Sequence, residues 1–323
     1  MTAQPGFHVG ISFHSFATKY LTYQYSFEDM MEKAAQLGGG VEIVGPSHIR
    51  SFPEVSDEFE RSFKSSVDRY GLTPTSYGSY ADPFMLPDRD LTPDEIYEYT
   101  VPQLKGAAKL GFPIVRLQYF AAVAAERLVP LAEKLKLWMG YELHSPLTIE
   151  SETTRKLIAQ IKHISSERLG LIPDCSIFAR SVSQNHINNG RRMGVPEEII
   201  QEVLELWNKN TPVDDVIADF RARKLDEKCV SWADMVWGGF GRSEPSAMLE
   251  IKQYIKHFHG KFYTLVDGDE PDLRYEDVVK TLLEMGYSGW MSTEYEGAPT
   301  DAFAIAKSHQ NMVNGYIKKY TMN

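Results

Sequence analysis

The chain has 323 residues, of which 43% are hydrophobic and 24% are charged, as is ordinary for a soluble globular protein. Its formal net charge of −10, from 34 basic and 44 acidic residues, argues against nucleic acid as a partner, because an acidic surface repels phosphates. No stretch approaches the ~18 consecutive apolar residues of a membrane span, and the first residues lack a signal peptide's basic and apolar regions. We therefore expect a cytoplasmic protein that has no membrane partner.

Segments with strand character alternate with segments of helical period along the chain. Several predicted helices begin at a capping residue, such as Ser26 or Thr92, and end at a glycine, such as Gly38 or Gly71. Pro102 predicts a kink or break inside the third helix. The predicted strands are 7–13, 41–44, 72–78, 113–120, 137–143, 169–176, 255–265 and 288–297. The predicted helices are 26–38, 56–71, 92–111, 121–136, 151–165, 196–209, 246–255, 275–286 and 299–320.

Eight strand–helix units predict an α/β fold, a parallel (β/α)8 TIM barrel in a single domain over residues 1–323. The alternative is an open, doubly wound sheet. It has less support, because neither G-x-G-x-x-G after the first strand nor G-x-x-x-x-G-K-[ST] is present. A long segment, about 180–248, interrupts the alternation after the sixth strand. We interpret it as an enlarged loop at the end of the barrel where active sites lie.

Acidic and imidazole side chains lie at the C-terminal ends of four consecutive predicted strands, the fifth to the eighth. They are Glu142, His144, Asp174, His257, His259, Glu294 and Glu296. Residues two apart in a strand share a face, so Glu142 and His144 point the same way. Three carboxylates brought together without a cation would raise one another's pKa, which predicts a divalent ion held by Glu142, Asp174, His259 and Glu294. This oxygen-rich set favours Mn²⁺ or Mg²⁺ over a structural zinc.

Other polar side chains near the strand ends are candidates for contact with a substrate. They are Arg116, Gln118, Lys261, His14 and Glu296. Arg116 could equally form an ion pair inside the barrel, and Glu296 could be a solvated loop residue. His257, one layer deeper than the predicted ligands, is expected to pack behind them. Glu42, in the second strand, could also reach the pocket.

The arrangement on strands five to eight resembles the sugar isomerase and epimerase superfamily, the xylose-isomerase-like barrels. The segments "IKHFHGKFY" (255–263) and "GWMSTEYEG" (289–297) are similar to that family's seventh- and eighth-strand motifs. In those motifs the second histidine and the first glutamate bind metal, which here are His259 and Glu294. The segment "GYELHSP" (140–146) has a histidine two residues after the first metal glutamate, and is similar to the large (alpha) subunit of bacterial C-glycoside deglycosidases. The resemblance covers essentially the whole chain.

This resemblance implies an Mn²⁺-dependent enzyme that works with a small second (beta) subunit. It would cleave the carbon–carbon bond between a 3-oxo-sugar and an aromatic, flavonoid-like aglycone. The reaction needs a base at the sugar C2 proton. We assign this role to His144, because imidazoles titrate near neutral pH and His144 is not needed as a ligand. Candidates for the acid that protonates the departing aryl carbon are Lys261, Tyr295 and the 180–248 segment.

Three other functions are compatible with parts of this pattern. A metal-dependent keto-sugar epimerase or isomerase shares the fold, the metal and the deprotonation step, and a second base on the opposite face would favour it. A xylose-isomerase-like endonuclease needs more histidine ligands and a basic face, which the charge of −10 opposes. A non-catalytic scaffold would bind no metal tightly. We rank the deglycosidase first and the epimerase second.

Overall fold

The computed structural model describes residues 6–297 and 300–322, which form the predicted (β/α)8 barrel. All neighbouring strands are parallel, in the order β6-β5-β4-β3-β2-β1-β8-β7. Parallel bridges from Leu171 to Ile255 and from Asp174 to His259 join β6 to β7 and nearly close the barrel. The strands are β1 (His8–Ser12), β2 (Gly40–Val44), β3 (Thr73–Gly78), β4 (Ile114–Leu117), β5 (Trp138–Leu143), β6 (Leu169–Pro173), β7 (His257–Phe262) and β8 (Trp290–Tyr295).

Helices follow the strands and cover the outside of the barrel. They are α1 (Ala17–Leu21), α2 (Phe27–Ala35), α3 (Gly45–His48), α4 (Asp57–Tyr70), α5 (Pro93–Leu110), α6 (Ala125–Leu135), α7 (Glu152–Ile164), α8 (Gln184–Arg192), α9 (Glu197–Asn208), α10 (Val213–Ala222), α11 (Glu227–Gly239), α12 (Met248–Ile251), α13 (Tyr275–Glu284) and α14 (Ala302–Thr321). Ser26 and Thr92 cap α2 and α5 as predicted, each in a capping box. Gly71 ends α4 with a left-handed φ of 63°.

Several predicted element boundaries were wrong. Helix α5 runs unbroken through Pro102. The proline has no N–H to donate to the carbonyl of Glu98. Because Glu98 is exposed, water can bind that carbonyl instead. Helix α6 begins four residues later than predicted, because a 3₁₀ helix (Tyr119–Ala124) precedes it. The predicted helix 246–255 is divided into one short α-helix flanked by two 3₁₀ helices. The predicted start of the last helix, residue 299, lies outside the described residues.

Inward-facing side chains fill the barrel in layers. Trp138 and Trp290 begin β5 and β8 and occupy the N-terminal end of the barrel. Their indole rings lie where Cβ atoms would stand at Gly140 in β5 and at Gly40 in β2, so glycine makes room for each ring. The next layers toward the C-terminal end are polar, and the strands deliver the candidate site residues there.

The segment between β6 and β7 contains α8 to α12 and packs onto the barrel. Its buried side chains Trp207, Phe220, Trp232 and Phe240 belong to the same hydrophobic cluster as the barrel core. The indole of Trp207 donates to the carbonyl of Phe240, at 3.1 Å. Across residues 6–297 and 300–322, no helix combines the length and apolarity needed to cross a bilayer.

The packing of glycine against tryptophan predicts a stability difference between two glycine-to-alanine changes. In Gly140→Ala the new Cβ would meet the Trp138 ring and lie 2.6 Å from Cγ1 of Ile172, so we expect a loss of about 1–3 kcal/mol in unfolding free energy. In Gly315→Ala, on the exposed side of α14, a Cβ meets nothing within 4 Å. That variant should gain about 0.5–1 kcal/mol, because alanine is the better helix former. Denaturant unfolding measures both, and an equal effect of the two changes would contradict the packing argument.

Candidate metal centre and active site

The four predicted ligand residues converge at the C-terminal end of the barrel. Glu142 lies near the end of β5, Asp174 follows β6, His259 lies in β7 and Glu294 lies in β8. One ligand atom from each lies within 4.8 Å of the others. The Nδ1 atom of His259 is 2.8 Å from Oε1 of Glu142, 3.4 Å from Oε2 of Glu294 and 3.8 Å from Oδ2 of Asp174. The arrangement therefore surrounds one imidazole nitrogen with three carboxylates.

The ring of His259 is oriented from behind by Glu42 of β2, a fully buried acid. Oε2 of Glu42 lies 2.9 Å from Nε2 of His259 and 3.1 Å from Nε2 of His257. Ser292 lies 3.2 Å from the same oxygen. Since a carboxylate only accepts hydrogen bonds, Nε2 of His259 carries the proton and the lone pair of a neutral ring is on Nδ1. Glu42 thus points that lone pair at the three carboxylates.

Two buried ligand atoms in the cluster make no hydrogen bond of good geometry, although one of them lies 2.8 Å from Glu142. They are Nδ1 of His259 and Oδ2 of Asp174, and both face the same point. The other oxygen of Asp174 accepts a hydrogen bond from the backbone N–H of Ser176 at 2.8 Å, which fixes the carboxylate. Buried polar atoms without partners are rare in folded proteins, so such atoms around one point form a site that could hold a cation. Three carboxylates and one imidazole suit a divalent ion of the Mn²⁺ or Mg²⁺ type.

Glu142 has a second fixed contact, with Arg116 of β4. Nη1 of Arg116 donates to Oε2 of Glu142 at 2.6 Å, and both side chains are largely buried. Burial alone would raise the pKa of Glu142, but Arg116 and His259 hold it well below its usual value. Burial and the charges of Glu294 and Glu142 instead raise the pKa of Asp174. Arg116 therefore forms the ion pair inside the barrel that the sequence left as one of two alternatives. A contact between Arg116 and a substrate stays a prediction.

His144 is the first residue after β5 and is half-buried beside the cluster. It is close enough to Glu142, Asp174 and Glu296 to interact electrostatically with each of them. The clusters of potential ligands found in the described residues do not include it. His144 is therefore a half-buried imidazole after β5 that lies outside the cluster of potential ligands.

A second polar network lies at the mouth of the barrel. Nζ of Lys261 is 3.1 Å from Oε1 of Glu296, and Nε2 of His14 is 3.3 Å from the same oxygen. Lys261 is also 4.0 Å from Glu294, which connects this network to the cluster. Burial would lower the pKa of Lys261, but Asp174 and Glu296 hold it well above its usual value. Glu296 is thus not a solvated loop residue.

The remaining candidates are less closely connected to the cluster. The side chain of Gln118 accepts from the N–H of Ala81 at 3.4 Å, which links the loops after β3 and β4. In the insertion, Arg191 forms an exposed ion pair with Glu197, and burial lowers the pKa of His186. Sequence reasoning did not identify the contact of Glu42 with His259. An acid within the apolar segment "VEIV" was the available signal.

Comparison with known proteins identifies the family. Residues 31–314 match the xylose isomerase-like TIM barrel. The chain is 34% identical to a 3'-dehydrocarminate deglycosidase alpha subunit of a Microbacterium species, over 92% of this chain and 90% of that one. It is 32% identical to a C-glycoside deglycosidase alpha subunit of Arthrobacter globiformis, over 91% of this chain and 86% of that one.

Solved structures share the fold at low sequence identity. An L-ribulose 3-epimerase superposes with a TM-score of 0.57 at 13% identity, covering 97% of this chain and 95% of the other. A D-psicose 3-epimerase from Clostridium cellulolyticum gives 0.56 at 14%, covering 98% of this chain and 100% of the other. The chain therefore belongs to the xylose isomerase-like TIM-barrel family, and its relatives within that family include the alpha subunits of C-glycoside deglycosidases.

Proposed function

We propose that this chain is the catalytic alpha subunit of a C-glycoside deglycosidase. It would cleave the carbon–carbon bond between a 3-oxo-glucosyl group and an aromatic aglycone by elimination, as a lyase. The observation that carries the proposal is the pairing on β5. Glu142 belongs to the cation-binding cluster, while the half-buried His144, two residues later, does not. Relatives of this length named as deglycosidase alpha subunits support the choice of substrate class.

A C-aryl glycoside cannot be cleaved by the usual acid–base pair of glycosidases, because its bridging atom is carbon and has no lone pair to protonate. A ketone at C3 makes the proton on C2 acidic and places C1 in the β position. Removal of the C2 proton forms an enolate. Its electron pair then forms the C1–C2 double bond as the C1–aryl bond breaks. The aryl carbon receives a proton, so the products are an enone sugar and the free aglycone, with no change in total oxidation state.

The donor set fits a divalent cation, and we propose Mn²⁺, with Mg²⁺ or another divalent ion as the alternative. Glu142, Asp174, His259 and Glu294 would hold it, each through the atom that faces the common point. Bound there, such an ion supplies Lewis-acid stabilisation of negative charge on a ketone oxygen. The protein's own contribution is to fix the ligand atoms before the substrate arrives, through Arg116, Ser176 and Glu42.

In this proposal His144 removes the C2 proton. Its position directly after β5 brings it to the level of the ligands without making it one. Arg116, Gln118, Lys261, His14 and Glu296 are proposed to contact the sugar or the aglycone. We also propose a small beta subunit as a partner, because the relatives carry the name alpha subunit.

The second candidate function is a keto-sugar epimerase or isomerase. It is favoured by the presence of His14 in the mouth of the barrel, across from His144, where it could return a proton to C2 from the opposite face. Both candidates share the deprotonation step. They differ in whether the enolate expels the aryl group or is reprotonated.

Replacing His144, the proposed base, should prevent both elimination of the aglycone and epimerisation at C2. In His144→Ala, with the metal-loaded protein and a 3-oxo-C-glucosyl flavonoid, we expect release of the aglycone to fall at least ~100-fold, because general base catalysis contributes about that much. His163→Ala, on the exposed face of α7, is the control and should keep full activity. Both are assayed with and without the small partner subunit.

The identity of the products separates the two candidate functions. Aglycone that appears with the wild-type protein and disappears in His144→Ala supports elimination. Deuterium at C2 or an inverted sugar, without aglycone, would replace the deglycosidase with the epimerase. Neither reaction together with no bound metal by elemental analysis would exclude both enzymes.

The contact of Glu42 with His259 predicts an effect on metal affinity. In Glu42→Gln the acceptor behind His259 loses its charge, so Nδ1 becomes less basic. We expect the affinity for Mn²⁺ to fall about 10–100-fold, measured by competition with a chelator. Glu54→Gln, at an exposed position after β2, is the matched control. Equal affinities of the two variants would contradict the orienting role of Glu42.

A further inference from the structure

We propose that His14 is the acid that protonates the aryl carbon as the aglycone leaves, and that the cavity beside it receives the aglycone. This inference rests on the proposed deglycosidase function and assigns the proton donor that the sequence leaves open. Three features of His14 support it: its position in the barrel, its contacts and the cavity that it borders.

The position of His14 is opposite that of the proposed base. His14 follows β1, whereas His144 follows β5. In the strand order β6-β5-β4-β3-β2-β1-β8-β7, β1 and β5 are four strands apart in either direction around the barrel. The elimination removes a proton from C2 and delivers another to the aryl carbon on C1. Two imidazoles on opposite walls can perform these transfers without competing for one site.

The contacts of His14 favour the charged, proton-bearing form. Its Nε2 lies 3.3 Å from Oε1 of Glu296, and Lys261 lies 3.1 Å from the same oxygen. The hydrogen bond to this carboxylate raises the pKa of His14. His14 is nevertheless 41% exposed at its side chain, so a substrate can reach it.

The other candidates for the acid are less suitable. Lys261 is buried, and its Nζ lies 3.1 Å from Oε1 of Glu296 and 4.0 Å from Oε2 of Glu294, so its protons are directed at carboxylates. Tyr295 alternates with Glu294 and Glu296 in β8, so its ring faces away from the barrel interior and packs on Phe262 at 5.1 Å. The ring of His186 is held between Phe240 and Tyr263, and its pKa is lowered by burial, which disfavours the protonated form.

A cavity of about 420 Å³ opens directly beside His14 and Glu296. This volume lies within the range of small-molecule sites. Thr18 and Gln24 also line it, and their hydroxyl and amide groups suit the phenolic oxygens of an aromatic ligand. The aglycone would therefore lie against the imidazole that protonates it. The imidazolium keeps its Nε2 proton in the contact with Glu296 and passes its Nδ1 proton to the aryl carbon as the C1–aryl bond breaks. The neutral ring then regains a proton at Nδ1 from solvent.

The test separates the removal of the C2 proton from the release of the aglycone. His14→Gln keeps an amide N–H that can donate to Glu296 but cannot transfer a proton. With a 3-oxo-C-glucosyl flavonoid in D₂O, we expect aglycone release to fall about 100-fold or more. Deuterium exchange at C2 should continue, because His144 is intact. His163→Gln, on the exposed face of α7, is the control and should change neither rate. Metal content and thermal unfolding establish that His14→Gln is folded, and His14→Asn replaces it if it is not.

Each outcome has a defined meaning. A selective loss of release, with exchange preserved, supports His14 as the acid. Unchanged release, or release and exchange that fall together, overturns it and leaves the deglycosidase function in place. If the wild-type protein neither exchanges the C2 proton nor releases aglycone, the proposed function fails, and the assignment of His14 fails with it.

Discussion

The repulsion of three carboxylates around one point is the constraint that shapes the end of this barrel. The parallel strands place Glu142, Asp174 and Glu294 at one level, and the barrel interior keeps them largely out of water. Each additional buried negative charge raises the free energy needed to keep the neighbouring carboxylates ionised. Groups on neighbouring strands reduce this repulsion: Arg116 pairs with Glu142, and His259 lies among all three acids. A cation at the common point would complete the balance of charge.

Fixed contacts on the outer atoms determine which atoms face inward. Arg116 donates to one oxygen of Glu142, and the backbone N–H of Ser176 donates to one oxygen of Asp174. Glu42 accepts from Nε2 of His259. The remaining atoms converge, and those of Asp174 and His259 have no other partner. An ion that binds here meets ligands already in place, so little conformational entropy is lost on binding.

Sequence reasoning predicted the fold and the convergence of the acidic cluster because both depend on simple periodicities. Strand–helix alternation predicts a barrel, and the two-residue period predicts which side chains face inward. It could not predict the pairing of Glu42 with His259, which joins residues 217 positions apart and depends on how the strands close into a barrel. The 3₁₀ helix before α6 and the unbroken α5 were also missed, because tertiary packing and solvation override local propensity there. The roles assigned to His144 and the other site residues stay predictions, since proximity alone does not establish chemistry.

The distribution of polar groups around the barrel also bears on the choice between the two candidate functions. The four potential ligands come from β5, β7 and β8 and from the residue after β6, and a cation held by them would stabilise an enolate in either reaction. In the proposed mechanism, the fate of the enolate would depend on the group on the opposite wall, after β1. An acid placed over C2 returns the proton and inverts the sugar, whereas an acid placed over the C1 substituent lets that substituent leave. In this chain the imidazole of His14 borders a cavity large enough for a small aromatic group, which would place the acid beside the leaving group. Under the proposed mechanism, that cavity, more than the ligand set, would favour cleavage over epimerisation.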